Sequence, residues 1–333
     1  MKKMKLAPIF HHHTVLQANK PIRIYGTGSG HAKITFDGET HQTVSTGDFW
    51  CLTFSPRPYG GPYELSVTLD GVTSVYTDLF VGEVLLLAGQ SNMGYKLHKT
   101  NFPQERYEEN PRLRYFAAER FASEDRFSPA DGWVFCTKEN AAFFSALGYH
   151  LGMLLSNEKK IAVGLLACYL GSSKIESWIP KEIALREEFY LPPEEKLDAP
   201  YAGEIRDHNT PGKLYGIRQQ SLVPFSIGRV IWYQGESNTG RGEPKIYTQL
   251  LTELITRWRK DFMDDSLPFT VVQIADLDTR QDDGWRGIQA AQEQIVELLS
   301  HVTVIRSADV CEKNDIHPPT KTLLANRIFE SIQ

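Results

Sequence analysis

Residues 82–93 read GEVLLLAGQSNM. The apolar run is unbroken, rich in Leu and Val, and closes on a glycine followed by polar residues, the pattern of a strand buried on both faces of a sheet. Four more such runs follow: IAVGLLAC at 161–168, RVIWYQG at 229–235, PFTVVQIA at 268–275 and HVTVIRS at 301–307. Between them lie segments of helical period. Phe144, Leu147, Leu151, Leu154 and Leu155 mark one helix face, and Tyr247, Leu250, Leu251, Leu254, Ile255 and Trp258 another. Further helices are predicted over 288–299 and 320–332. Strands alternating with helices predict an α/β domain over 81–333, a three-layer arrangement with a parallel sheet of five strands between helices. Residues 96–140 and 174–211 have no place in this pattern and are expected to be excursions at strand ends, where binding sites are often built.

Upstream of this domain the period changes. PIRIYGTG, HAKITFDGET, DFWCLTFS, YELSVTLDG and VTSVYTDLF are short alternating runs punctuated by Gly, Asp and Pro, which predicts a small antiparallel β-sandwich over residues 1–80 as a separate module.

The chain has 333 residues, 41% of them hydrophobic, enough for a substantial core. Its 36 basic and 41 acidic side chains are mixed along the sequence and give a net charge of -5, so no basic footprint for nucleic acid is present. No apolar stretch approaches the length of a membrane span, and none follows the basic start MKKMKLAPIFHHH before Lys20; a cytoplasmic protein without a secretory signal is expected. Cys51, Cys136, Cys168 and Cys311 lie far apart, without CxxC spacing, and are expected to be free and mostly buried. The triplet His11, His12, His13 is not expected to bind metal, because successive residues of an extended segment point to opposite faces.

In a parallel sheet, ligands bind beyond the carboxyl ends of the strands. Polar residues stand there after four of the five strands: Gln90, Ser91 and Asn92 after the first, Gly171 with Ser172 and Ser173 after the second, Gln234, Glu236 and Asn238 after the third, and Asn314, Asp315 and His317 after the last. A serine hydroxyl becomes nucleophilic beside a base, the base needs an orienting group, and the tetrahedral intermediate needs donors for its oxyanion. Ser91 and His317 supply nucleophile and base. The backbone N–H groups of Ser91 and Gly171 and the amide of Gln234 are the candidate oxyanion donors, with Gln90, Asn92 and Asn238 as further polar groups of the site. Taken singly each residue has an ordinary reading, such as a helix cap for Ser91 and a loop cap for Asp315.

The segment LLLAGQSNMGY, with WYQGESN at 232–238 and DIHPPTK at 315–321, resembles the sialate O-acetylesterase family of SGNH-type hydrolases, related to acetylxylan esterases. VLQANKPIRIYG, GGPYELSV and GLLACYLGSSKIESW resemble further blocks of that family, so the similarity covers nearly the whole chain. It implies a flavodoxin-like SGNH fold, Ser91 as nucleophile, His317 as base, and oxyanion donors from Ser91, Gly171 and Gln234. It also implies an acid to orient the base: Glu236 of the QGE motif, with Asp315 as second candidate. An O-acetylated carbohydrate is the implied substrate, sialate first and acetylated xylan or another glycan next, with no metal or cofactor. Arg218, Arg241 and Arg286 are candidate partners for a sugar carboxylate. Leu170-Gly171-Ser172-Ser173 replaces the Trp-Gly-Gly-Thr common in relatives, and Gln289 stands where they often carry Arg. A carbohydrate-binding protein with an inert hydrolase domain is the alternative of a different class. A flavin or nucleotide binder is disfavoured by the single glycine of GQSNM.

Overall fold

The computed structural model describes residues 3–119, 126–196, 206–280 and 282–333. The chain opens with β1 (Lys5–Leu6), β2 (Val15–Gln17), β3 (Ile22–Thr27), β4 (Gly30–Phe36), β5 (Glu39–Ser45), β6 (Phe49–Phe54) and β7 (Gly60–Leu69). HAKITFDGET is a hairpin rather than one strand. Asp37 and Gly38 take positive φ (47° and 77°) and turn β4 into β5, the backbone handedness that suits the twist of paired strands. Strands β1, β3 and β6 form one antiparallel sheet; β5, β4 and β7 form a second layer and pair onto β8 (Val72–Gly89). Ile22, Ile24, Ile34, Phe36 and Phe54 fill the space between the layers.

Strand β8 is the backbone of the molecule. Its first half pairs with β7 and its second half is the central strand of the α/β sheet, so the expected boundary at residues 80 and 81 falls inside a strand rather than in a linker. The two parts share one continuous core. Buried polar ties cross between them: Tyr25 donates its hydroxyl to the Leu222 carbonyl (2.9 Å), and Arg23 donates to Oγ of Ser226 (3.0 Å) and to the Phe262 carbonyl (3.3 Å).

The α/β sheet adds β9 (Asn110–Ala117), β10 (Val134–Cys136), β11 (Val163–Tyr169), β12 (Arg229–Tyr233), β13 (Phe269–Val272) and β14 (Val302–Ile305), in the order β10-β9-β11-β8-β12-β13-β14. All are parallel except β10. The five expected strands are present, and residues 96–140, expected to be an excursion, supply two more at one edge. Arg112 and Arg114 interrupt the apolar pattern of β9. Arg114 is nonetheless buried, its guanidinium donating to the carbonyls of His13 (2.8 Å) and Asp78 (2.6 Å) and to Oδ2 of Asp78 (2.9 Å).

The helices are α1 (Ser91–Gly94), α2 (Lys138–Ala141), α3 (Ala146–Lys159), α4 (Lys181–Ala184), α5 (Pro244–Asp261), α6 (Asp283–Leu298) and α7 (Thr322–Ser331). Side chains alternate across a strand, and the two faces of β8 and β12 feed separate cores. Leu85, Leu87, Ile231 and Tyr233 pack with Leu147 and Leu151 of α3 and Leu324 and Ile328 of α7. Val84, Leu86, Val230 and Trp232 pack with Leu251 and Ile255 of α5 and Ile288 of α6. Three indoles lock α5 onto the sheet: Trp232 stands edge-on to Trp178 (6.1 Å) and Trp258 (5.8 Å), and Trp258 donates to the Trp178 carbonyl (3.0 Å).

Gly89 ends β8 at φ 127°, where an added methyl group would lie 2.1 Å from the carbonyl oxygen of Tyr233. Neither the backbone angle nor the space admits a side chain. Gly89→Ala is expected to cost more than about 3 kcal/mol of folding stability. A urea titration with a wild-type midpoint would show that the strand end relaxes freely.

Candidate active site

Register decides which residues meet. Gly89 of β8 lies abreast of Tyr169 of β11 and of Tyr233 of β12, so the three strands end level and the segments after them leave from one edge. Main-chain bonds continue past the strand ends: Gln90 donates to the Tyr233 carbonyl (2.9 Å), and Leu170 donates to the Gly89 carbonyl (3.0 Å). The chain then turns into α1, with Ser91 as its first residue and Gln90 as an extended N-cap. Ser91 is half-buried, and as the first residue of a helix its N–H has no partner within that helix. Gly171 lies directly against it; a methyl group there would sit 3.6 Å from the Ser91 Cβ. The nucleophile candidate and the Gly171 backbone are therefore neighbours, as oxyanion stabilisation requires.

The loop carrying Gly171 is held from behind. Gln234 donates to the Ser173 carbonyl (3.0 Å) and to Oδ1 of Asn238 (2.8 Å), and its own Oε1 accepts from the Tyr247 hydroxyl (2.8 Å). Both amide hydrogens are occupied and the side chain is fully buried. Gln234 thus braces the loop and is not placed to donate to an oxyanion, contrary to expectation. Asn238 is likewise internal, accepting from the Ile175 N–H (3.0 Å) and donating to Oε2 of Glu176 (2.9 Å). The buried Gln90 accepts from the Ser237 N–H (3.3 Å). On the open side, Asn209 donates to the Ser172 carbonyl (3.0 Å), and the His208 ring lies 3.4 Å from the same oxygen.

His317 arrives from the far end of the chain. Its ring stacks on Tyr95, just past α1, with centroids 5.7 Å apart and planes 9° from parallel. Asp315 accepts the backbone N–H of His317 (2.8 Å), a local turn bond that shapes the loop. Burial pushes the imidazole pKa down and the nearby charge of Lys321 adds to this, while Asp315 opposes both. A depressed pKa keeps the ring neutral, the form a general base requires. Among the described residues no hydrogen bond joins the ring to Ser91, Glu236 or Asp315.

Glu236 follows β12 and is 1% exposed. Oε1 accepts from Nδ2 of Asn92 (2.5 Å), and Oε2 is enclosed without a hydrogen-bond partner among the described residues. Burial raises its pKa; the Asn92 bond and the charge of Lys321 pull it back. Asn92 also donates to the Ile316 carbonyl (2.9 Å) and accepts from Nζ of Lys321 (2.9 Å), so its amide is committed inside the protein rather than to substrate. Lys321 ends the DIHPPTK motif, and nothing in the sequence marks it, since a lysine before an amphipathic helix reads as a solvated cap. Here it is 1% exposed, and burial pushes its pKa down to about 8.

Arg218 is buried and donates to the Tyr169 carbonyl (2.7 Å), whereas Arg241 and Arg286 are exposed. Gln289 bridges the Ile274 carbonyl (3.1 Å) and Oδ1 of Asp276 (2.9 Å), joining α6 to the segment after β13. All four cysteines are free, Cys136 and Cys168 buried and Cys51 and Cys311 half-buried. His13 pairs with Asp78 (2.7 Å). Among the described residues no group of three His, Cys, Asp or Glu side chains is placed to hold a metal ion, and no helix is long and apolar enough to cross a membrane.

The sheet thus carries a half-buried serine at its central strand end, with a glycine backbone beside it and His317 stacked on the adjoining Tyr95. The family model of carbohydrate esterases described as sialic acid-specific acetylesterase matches residues 81–328, and the chain belongs to that family. It is 25% identical to human sialate O-acetylesterase over 326 residues, covering 84% of this chain and 59% of that protein. The mouse sialate O-acetylesterase is 22% identical over 334 residues, with 84% and 62% covered. The chain thus spans about three fifths of the length of these curated relatives. Among solved structures, a carbohydrate acetylesterase from Xanthomonas citri superposes with a TM-score of 0.83 at 26% identity, over 98% of this chain and 74% of that one.

The depressed imidazole pKa is open to direct measurement. An NMR titration of His317 is expected to give a midpoint below the 6.5 of a free imidazole. A midpoint at or above that value would mean that the ring is solvated, or that a carboxylate dominates its surroundings.

Proposed function

We propose that the chain is a serine carbohydrate O-acetylesterase whose first substrate is O-acetylated sialic acid. The observation that carries this reading is the contact of Gly171 with Ser91 at the level ends of β8 and β11, with His317 stacked on the adjoining Tyr95. In this proposal Ser91 attacks the acetyl carbonyl as His317 takes its proton, and the backbone N–H groups of Ser91 and Gly171 hold the oxyanion. The tetrahedral intermediate collapses, the sugar hydroxyl leaves with the proton from His317, and water then releases acetate from the acyl-enzyme. Glu236 acts on the His317 loop through Asn92, whose amide it shares with the Ile316 carbonyl, while Asp315 shapes the loop through its bond to the backbone of residue 317. The same reading places residues 81–333 among the flavodoxin-like SGNH hydrolases.

A second substrate reading is an acetylated glycan other than sialate, such as a xylo-oligosaccharide; the superposition over 98% of the chain is on a protein described as a carbohydrate acetylesterase. Acetate release from O-acetylated sialic acid and from acetylated xylo-oligosaccharide, measured side by side, separates the two. Ser91→Ala is expected to lower turnover of the preferred ester by at least about 10³-fold while leaving the fold intact. If neither ester nor an aryl acetate is hydrolysed by the wild type, the esterase reading fails and a carbohydrate-binding role takes its place.

A further inference from the structure

One buried amide joins four parts of the candidate site. Asn92, beside the nucleophile in α1, donates to Glu236 after β12 and to the carbonyl of Ile316, the residue before His317. Its remaining oxygen accepts from Nζ of Lys321 at the start of α7. All three partners agree on which way round the amide lies: the Glu236 carboxylate and the Ile316 carbonyl only accept and an ammonium only donates, so the NH2 faces the first two and the oxygen faces Lys321. Without the ammonium the buried Asn92 oxygen loses its donor, and the amide is held only through its NH2.

We propose that Lys321 is a positioning residue of the reaction, anchoring the oxygen end of Asn92 and through it the placement of Glu236 and of the loop that carries His317. The inference rests on the serine-esterase reading. Lys321 touches neither the serine nor the imidazole through a hydrogen bond; its ammonium lies 5.5 Å over the rings of Tyr95 and Tyr233. Tyr95 is also the ring on which His317 stacks, so one cation steadies both the platform and the loop above it. The charge itself has a second effect. His317 is faced by Lys321 from the start of α7, by Asp315 from its own loop and by Lys99 from the segment after α1, and Lys321 and Lys99 favour the neutral ring while Asp315 favours the charged one. Lys321 in turn is faced by Cys311, Glu236, Glu312 and Asp315.

The test is Lys321→Met, assayed on an aryl acetate across pH beside wild type and Ser91→Ala, with circular dichroism to establish folding. The variant is expected to lose about 10- to 100-fold in kcat with KM changed by less than about threefold, because misplaced catalytic groups slow the chemistry more than they weaken binding. The acid limb of its kcat/KM profile is expected to move to higher pH: removing a positive charge raises the His317 pKa, and the base must be deprotonated to act. Lys321→Gln keeps a donor for Asn92 without the charge, and should show the same shift of the limb with a smaller loss of kcat; it also serves if the Met variant does not fold. A folded variant with wild-type kcat and an unmoved acid limb overturns the proposal while leaving the esterase reading in place, as does a loss of kcat with no shift of the limb. A wild type that hydrolyses no ester overturns both.

Discussion

The site depends on three strands ending at the same level. Gly89, Tyr169 and Tyr233 are hydrogen-bonded neighbours in the sheet, and everything that leaves the strands at that edge is brought together before any side chain is chosen. The alignment is tight enough to exclude a side chain at Gly89, where the Tyr233 carbonyl occupies the space. Given this edge, the chemistry follows from the next two or three residues of each segment: a serine after one strand, a glycine backbone after the second, a carboxylate after the third.

Behind the edge, the polar residues form two layers with different tasks. Ser91, Gly171 and His317 remain half-buried, where substrate can reach them. Gln234, Asn238, Asn92, Glu236 and Lys321 are enclosed and bond mainly to one another or to main-chain groups. Buried polar groups of this kind are tolerable only when paired, and their pairing fixes the loops in one arrangement. The Glu236 Oε2 is the exception, a buried carboxylate oxygen without a hydrogen-bond partner among the described residues, and burial raises the pKa of its carboxyl.

Much of this was legible in the sequence, and the failures have physical causes. Five strands of the α/β sheet and four long helices announce themselves because burial on both faces, or along one stripe, leaves a periodic apolar pattern. β9 does not, since Arg114 looks like a surface residue until its guanidinium is seen capped by two carbonyls and Asp78. The segments of the site were each recognisable, but the direction of a side chain at a strand end is not encoded in its type. Gln234 reads equally well as an oxyanion donor or as a brace, and only the positions of Ser173, Asn238 and Tyr247 decide for the brace. Lys321 was hidden for the opposite reason, because a lysine gives no sign in sequence that it will be enclosed.

Strand β8 carries one more implication, for how such a chain is inherited. The family match begins at residue 81, in the middle of an unbroken strand. Side chains alternate from one face to the other along it, Leu85 and Leu87 entering one core and Val84 and Leu86 the other. A genetic joint at this place that gained or lost a single residue would exchange the two sets and turn each core inside out. Recombination between relatives at this seam is therefore confined to exchanges that keep the strand in phase.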